Sequence, residues 1–228
     1  EHSVGGAAKI ERIEALINGK VFQTFDTASE LRALNSHYGR AQADNMICLH
    51  FDRPELRQLN DAKSFGIGTL NIQTFHIRVK LSATATSPSL TATASVSAPR
   101  PLGNITIIRK FHKANAQAGL VDIDNIPTGA RILAVHLNKS DITHCELKVN
   151  NATYFESSKA LNDLVLAQAR PVARAPMANY YSIDLTVQGT PAGALVTEGV
   201  QDLRIKPTIA TAGSTDMIVE YWGKLGSA

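Results

Sequence analysis

Residues 10–22, IERIEALINGKVF, and residues 142–154, ITHCELKVNNATY, are two versions of one pattern, and their likeness decides the fold. Aligned, Glu14 falls on Glu146, Ile17 on Val149, Asn18 on Asn150 and Phe22 on Tyr154. Each version alternates apolar and polar residues up to Asn-Gly or Asn-Asn and then resumes. That is the pattern of a β-hairpin whose turn residues tolerate positive φ. Farther along, IQTFHIRVKLSATATSPSLTA (72–92) aligns with VQDLRIKPTIATAGSTDMIVE (200–220), placing Gln73 on Gln201, Ile77 on Ile205, Leu81 on Ile209 and Leu90 on Ile218. The order hairpin, helix, strand, long strand, turn, strand therefore occurs twice. A spacing of about 130 residues is too long for a solenoid unit and suits a duplicated domain.

Working outward, strand patterns dominate. Residues 10–18, 69–82, 131–138, 144–149 and 180–188 alternate apolar and polar side chains. The parity breaks among Ile72, Phe75 and Ile77 predict a bulge near Gln73–Phe75. LTATASV (90–96) reads as a strand of small side chains, and MICLHF and THCELKV as β-patterned runs holding Cys48 and Cys145. Helical signals are short. Thr27 and Glu30 form a capping-box pattern ahead of Leu31 and Leu34. Asp52 caps a second predicted helix, with Pro54 in its first turn and Leu56 and Leu59 facing inward. Ser157 or Ser158 caps a third, where Leu161, Leu164 and Val165 recur at helical spacing. SAPRPLGN (97–104) has the Pro and Gly content of a linker, dividing the chain into units 1–103 and 104–228. The second unit carries TIIRKFH and RILAVHL ahead of its hairpin, whereas the first has only EHSVGGAAK. The first unit is thus expected to lack its opening strands, and further residues are expected ahead of Glu1.

Composition excludes several classes. With 44% hydrophobic and 19% charged residues among 228, the chain has the makeup of a globular protein with a sizeable core. No apolar run approaches the roughly 20 residues needed to cross a bilayer as a helix. A net charge of +3, without a basic stripe, does not point to nucleic acid. The two cysteines read as reduced, buried thiols.

No candidate catalytic, cofactor or metal residue emerges. His136, Asp141 and His144 are close in sequence but lack a ligand spacing, and alternation with Ala134, Leu137, Cys145 and Leu147 puts both histidines on the polar face, solvated or at an interface. His76 aligns with Arg204, which suits an exposed or interface position better than a catalytic base. Asp122, Asp124 and Asn125 could supply oxygens to calcium, but the segment lacks the Gly and distal Glu of an EF-hand loop and reads as an Asx-rich turn. Cys48 and His50 share a face only because they are two apart, and no G-x-S-x-G is present. FGIGT (65–69) lacks the Lys of a phosphate loop, and the carboxylates are too scattered for a glycosidase pair. Tyr221 and Trp222 read as core or subunit contacts rather than a sugar platform.

The sequence resembles the double-jelly-roll major capsid proteins of tailless icosahedral viruses with an internal membrane, and within that group the corticovirus major capsid protein family. INGKVF followed by ELRALNSHYG, then LHFDRPELRQL, PSLTA and PRPLG at the join, and VQDLRIKP with IVEYWGKL carry the likeness, in an order that spans almost the whole chain. The short N-terminal stretch is the departure. The resemblance implies an all-β chain of two tandem eight-stranded jelly rolls with short helices in the loops. It also implies a non-enzymatic structural protein of the virion, made in the host cytoplasm. Homotrimers would form pseudo-hexagonal capsomers contacting neighbouring capsomers, penton and membrane proteins and a nearby lipid membrane, without sequence-specific nucleic acid. The same resemblance associates calcium with the shell, though not as a required cofactor. A second class also fits the strand pattern: a tandem β-sandwich acting as a carbohydrate-binding spike or lectin-like module. A cupin-like enzyme would need a His/Glu cluster on adjacent inward strand positions, which the pattern does not supply.

Overall fold

The computed structural model describes residues 9–43 and 46–228, so the opening stretch ahead of Lys9 lies outside the described residues. The first half forms the hairpin β1 (Ile10–Ile17) and β2 (Lys20–Phe25), helix α1 (Ala28–His37), helix α2 (Leu59–Ser64) and strand β3 (Phe75–Leu81). The second half forms β4 (Ile105–Asn115), β5 (Gly119–Leu120), β6 (Arg131–Asn138), β7 (Ile142–Val149), β8 (Ala152–Ser158), α3 (Lys159–Ala167), β9 (Tyr180–Asp184), β10 (Leu203–Ile209) and β11 (Gly213–Gly223). The second half thus has the eight strands of a jelly roll, while the first supplies three among the described residues.

A seven-stranded sheet runs β3-β1-β2-β4-β11-β6-β9, and a four-stranded sheet runs β5-β10-β7-β8. All paired neighbours are antiparallel except β2 and β4, whose single parallel pairing, Gln23 with Ile108, joins the halves in one sheet. The Gln23 side chain reinforces that seam by donating to the Thr106 carbonyl at 3.1 Å. Period-2 alternation then sets two interiors. Val135, Leu137, Tyr181, Ile183, Met217, Val219 and Tyr221 point toward Cys145, Leu147, Leu203 and Ile205 of the smaller sheet. On the opposite face, Ile108 and Ile218 pack with Leu31, Leu34 and Tyr38 of α1 and its C-terminal cap. The central strands are buried on both faces, so they read as nearly continuous apolar runs.

The duplication extends to backbone detail. Asn18 and Asn150 both lie at positive φ, 48° and 49°, followed by Gly19 at 76° and Asn151 at 68°. The Asn18 side-chain oxygen accepts from the backbone N–H groups of Gln73 and Thr74 at 2.8 and 3.0 Å. The Asn150 oxygen does the same for Gln201 and Asp202, both at 3.1 Å. Register shifts also recur at matched places: Ala15/Leu16 in β1–β2 and Leu147/Lys148 in β7–β8, then Ile10/Arg12 in β1–β3 and Thr208/Ile209 in β10–β7.

Several expectations are corrected. Residues 69–74 are not strand, and no bulge lies at Gln73–Phe75: the Asn18 side chain captures those N–H groups, so the ladder begins at Phe75. LTATASV carries only an isolated bridge residue at Leu90, and Val96 is 88% exposed. Its small side chains bury too little apolar area to offset the entropy of ordering a strand. Cys48 is half-buried in a loop rather than buried in a strand. The helix expected after Asp52 starts instead at Leu59, which is exposed, and Leu56 is buried in a turn that aims Arg53 and Glu55 inward. The other helix starts stand as predicted: Thr27 accepts from Glu30 N–H at 3.1 Å, and Ser158 accepts from Leu161 N–H at 3.4 Å. The inward face of α3 differs, however, being Asn162 and Leu166 rather than Leu161, Leu164 and Val165.

Replacing Asn18 or Asn150 with Ala removes two accepted bonds and the side chain that tolerates the left-handed turn. Each change is expected to lower stability by about 1–2 kcal/mol. Urea denaturation of the two variants checks this, and a paired Asn→Gly series separates the backbone part from the bonds.

Candidate functional site

The polar alternation of three central strands creates the site. On the face turned toward α1, β6 presents His136, β9 presents Ser182 and Asp184, and β11 presents Glu220. The first half covers that face with Tyr38 and with the turn carrying Arg53 and Glu55, so His136 is 0% and Glu220 1% exposed. His136 was expected on the polar face. It is there, but the first half excludes solvent from it.

Glu220 is the centre. Tyr38 donates its hydroxyl to Oε1 at 2.7 Å, His136 Nε2 approaches the same oxygen at 3.0 Å, and Arg53 donates to Oε2 at 2.5 Å. A carboxylate only accepts, so His136 donates from Nε2, and its Nδ1 lies in hydrogen-bond contact with Ser182 Oγ at 2.9 Å. Glu55 forms an ion pair with Arg53 Nε at 2.9 Å and receives a forked pair of bonds from Arg40. Arg174 completes the set, donating to Asp184 at 2.7 Å, while Asp184 also accepts from the Thr186 backbone and hydroxyl. All three guanidinium groups lie over the Tyr38 ring, Arg40 and Arg53 at 4.7 Å and Arg174 at 5.3 Å. Three arginines thus meet three carboxylates, a balance that burial requires.

Titration follows from this packing. Burial pushes the Glu220 carboxyl up, but Arg53 and the bonds from His136 and Tyr38 outweigh it and hold the group well below the usual carboxylate range. Burial likewise opposes ionisation of Asp184 and Glu55, and Arg174 and Arg53 respectively lead the groups that lower them. Burial, aided by the Glu220 charge, raises the Tyr38 hydroxyl, which stays a donor. His37 donates Nδ1–H to the Ala175 carbonyl at 2.7 Å, and its ring meets that of His136 edge-on at 5.2 Å. Burial first, and then His136, lowers its imidazole to about 4.

The other residues singled out in the sequence have structural partners. Asp141 accepts from Thr211 N–H at 2.7 Å, capping a turn, and His50 lies 3.8 Å from Asp52. His76 is exposed on β3, whereas its counterpart Arg204 pairs with Asp202 and Asp122. Asp122 thereby pairs with Arg204 at 3.0 Å, and Asp124 faces Lys113 at 3.9 Å. Gly68 is explained by sterics, since a Cβ there would stand 2.0 Å from the Pro101 carbonyl. Trp222 stacks near Phe65 and under Arg131, and Tyr221 is fully buried. Cys145 is buried with its thiol pushed up by burial, and both cysteines are free. Sequence reasoning missed Tyr38, Arg53, Glu55, Arg174, Asp184 and Glu220. The available signal was the lone carboxylate inside the apolar run MIVEYW, on a strand buried on both faces.

Comparison with solved structures places this architecture among virus shells. The crystal structure of the major capsid protein P2 from bacteriophage PM2 matches with a TM-score of 0.92 at 26% identity, covering 98% of this chain and 85% of that one. The STIV MCP matches with a TM-score of 0.63 at 11% identity over 97% of this chain and 80% of that one. The PBCV-1 virus capsid matches at 0.61 and 8% identity over 95% and 81%. These last two share the fold, and together the three define a double-jelly-roll protein of the kind found in viral capsids. Residues 1–97 match the viral coat protein P2 N-terminal domain and residues 105–225 its C-terminal domain. The chain belongs to the viral coat protein P2 family. Its relative, the major capsid protein P2 of Pseudoalteromonas phage PM2, is 27% identical over 225 residues, spanning 95% of this chain and 82% of that protein.

Removing one partner from the network strands a buried charge, so Glu220→Ala is expected to cost about 3–5 kcal/mol. Tyr38→Phe, which removes one bond, should cost about 1–3 kcal/mol; thermal melts and urea titrations measure both. His37 binds a proton near pH 6.5 when unfolded but only near 4 when folded. Between those values the unfolded chain holds more protons, so stability rises with pH and is lost on acidification, by an order of about 3 kcal/mol. A stability–pH profile should show this slope in the parent and a flatter one in His37→Gln.

Proposed function

We propose that this chain is the major building block of an icosahedral virion shell, assembled as a homotrimer. The observation that carries the reading is the match of both P2 domains, in order, to a chain whose fold follows the PM2 capsid protein closely. Two similar units per chain, residues 1–103 and 104–228, give a three-fold ring six similar edges, so one product fills a hexagonal lattice as a pseudo-hexameric capsomer. Its partners are then further copies of itself, neighbouring capsomers, and penton and membrane proteins above an internal membrane. Synthesis takes place in the host cytoplasm. Catalysis and sequence-specific nucleic-acid binding play no part, and calcium acts at most as an accessory of assembly.

The surface supports a role in subunit contact. Leu161, Leu164 and Val165 form an exposed stripe on α3, 54%, 55% and 47% accessible, and Tyr154 on β8 is also exposed. Such a stripe is costly to leave in water and suits burial by another copy. Among the described residues the two exposed aromatics lie apart, Tyr154 on the four-stranded sheet and Phe75 on the seven-stranded one, which does not favour a sugar platform.

Light scattering after size exclusion, with calcium and with chelator, tests the proposal. The expected species is near three times the 24.5 kDa chain mass. A monomer at high concentration under both conditions would sink it. Leu164→Asp is expected to shift the trimer toward monomer while leaving the monomer's melting temperature within a few degrees, since that side chain makes little contact within its own subunit.

A further inference from the structure

The outer face of the four-stranded sheet carries a group of ligand side chains that the shell role does not use. Cys145 and Leu147 of β7 point into the core, so His144 and Glu146 point outward, two residues apart on one face. The β7–β8 register sets Glu156 directly opposite Glu146. His144 Nε2 lies 3.4 Å from Glu156 Oε1, and one ligand atom from each of the three residues falls within 4.8 Å of the others. We propose that His144, Glu146 and Glu156 bind one transition-metal dication, zinc by its ligand chemistry.

Two observations carry this beyond proximity. Carboxylates directly opposite each other on paired strands repel and destabilise the sheet unless a cation joins them. Lys148 meets Glu146 at 3.1 Å and Lys206 is its neighbour on β10, while Glu156 has His144 before it. The internal duplicate then supplies a control within the same molecule. At the matched positions the first half has Arg12, Glu14 and Thr24, with Glu14 opposite Thr24 and Arg12 3.7 Å from Glu14. That arrangement neutralises its single carboxylate with a fixed cation and offers no ligand set. The second half exchanges the guanidinium for an imidazole and the hydroxyl for a second carboxylate, placing three ligand groups on rigid backbone with Lys148 as the ammonium that a metal would displace from Glu146.

The chemistry selects the metal. One imidazole nitrogen and two carboxylate oxygens form a three-ligand set that zinc completes with water, at distances near ~2.1 Å. Ligand atoms around such an ion stand roughly 3.4 Å apart, so modest rotamer changes close the present spacing. Calcium takes ~6–8 oxygens and has no use for imidazole, so this site is not its natural host.

The test is calorimetric titration of chelator-treated whole protein with zinc chloride, paired with cobalt(II) absorption spectra. One equivalent should bind in roughly the micromolar range, and cobalt should give the intense visible bands of a tetrahedral site. Glu156→Gln and His144→Ala should each weaken binding by about tenfold or more, and Lys148→Met, which removes the competing ammonium, should tighten it. Melting curves of the same variants confirm folding, which the exposure of Glu156 favours. Equal zinc affinity in the parent and both ligand variants would overturn the proposal, as would calcium binding that Glu156→Gln abolishes without any zinc binding.

Discussion

One buried carboxylate, Glu220, sits where the two halves of the molecule meet, and the closure between them depends on satisfying it. It lies in the buried stretch of β11, between β4 and β6, where an unpaired charge would be prohibitive. Its partners Tyr38 and Arg53 come from the first half, and His136 comes from the second. Neither half can satisfy the group alone. Apolar contact between α1 and the sheet supplies attraction, but it is indifferent to a small slide or rotation. The directed bonds at Glu220, and the stacking of three guanidinium groups around one tyrosine ring, are not. The network therefore fixes geometry more than it adds affinity, which is the role best attested for buried ions.

The duplicated hairpins show what the fold preserves when sequence drifts. Matched asparagines at left-handed turns, matched side-chain bonds to the following strand and matched register shifts recur in both halves, although the residues between them differ. The environments nevertheless diverge. β10 lies inside its sheet and alternates buried with half-buried positions, whereas its counterpart β3 is an edge with Phe75 and Ile77 exposed. Local devices set the shape of each hairpin, and tertiary context decides which of its faces is wet.

Legibility in the sequence follows the same division. Hairpins and the helix starts at Thr27 and Ser158 were readable because each rests on interactions within a dozen residues. The strands at 131–138 and 144–149 were readable from their side-chain pattern, although the first pairs only with distant strands. The family landmarks carried the double jelly roll. The network at Glu220 was not readable, because period-2 alternation marks a polar face without saying whether another layer covers it. His136 was assigned to the right face for that reason, and its complete burial was hidden. LTATASV failed for the opposite cause: its propensity is correct for a strand, but apart from the bridge at Leu90 it forms no ladder, and its small side chains bury little. Arg53 and Glu55 were hidden by a helix-start signal at Asp52 that a buried ion pair overrode.

The separation of Tyr38 and Glu220, 182 residues along the chain, has a consequence for the order of events during synthesis. At roughly 5–20 residues per second, the ribosome needs on the order of ten seconds or more to deliver Glu220 after Tyr38 has emerged. Throughout that interval Arg40 and Arg53 have a counter-ion within reach in Glu55, which is translated almost beside them. A local pairing thus holds the cationic turn together until the distant carboxylate arrives. The two halves cannot lock until β11 has been made and has paired on both sides, so incomplete chains lack the closed geometry and are excluded from any lattice that demands it.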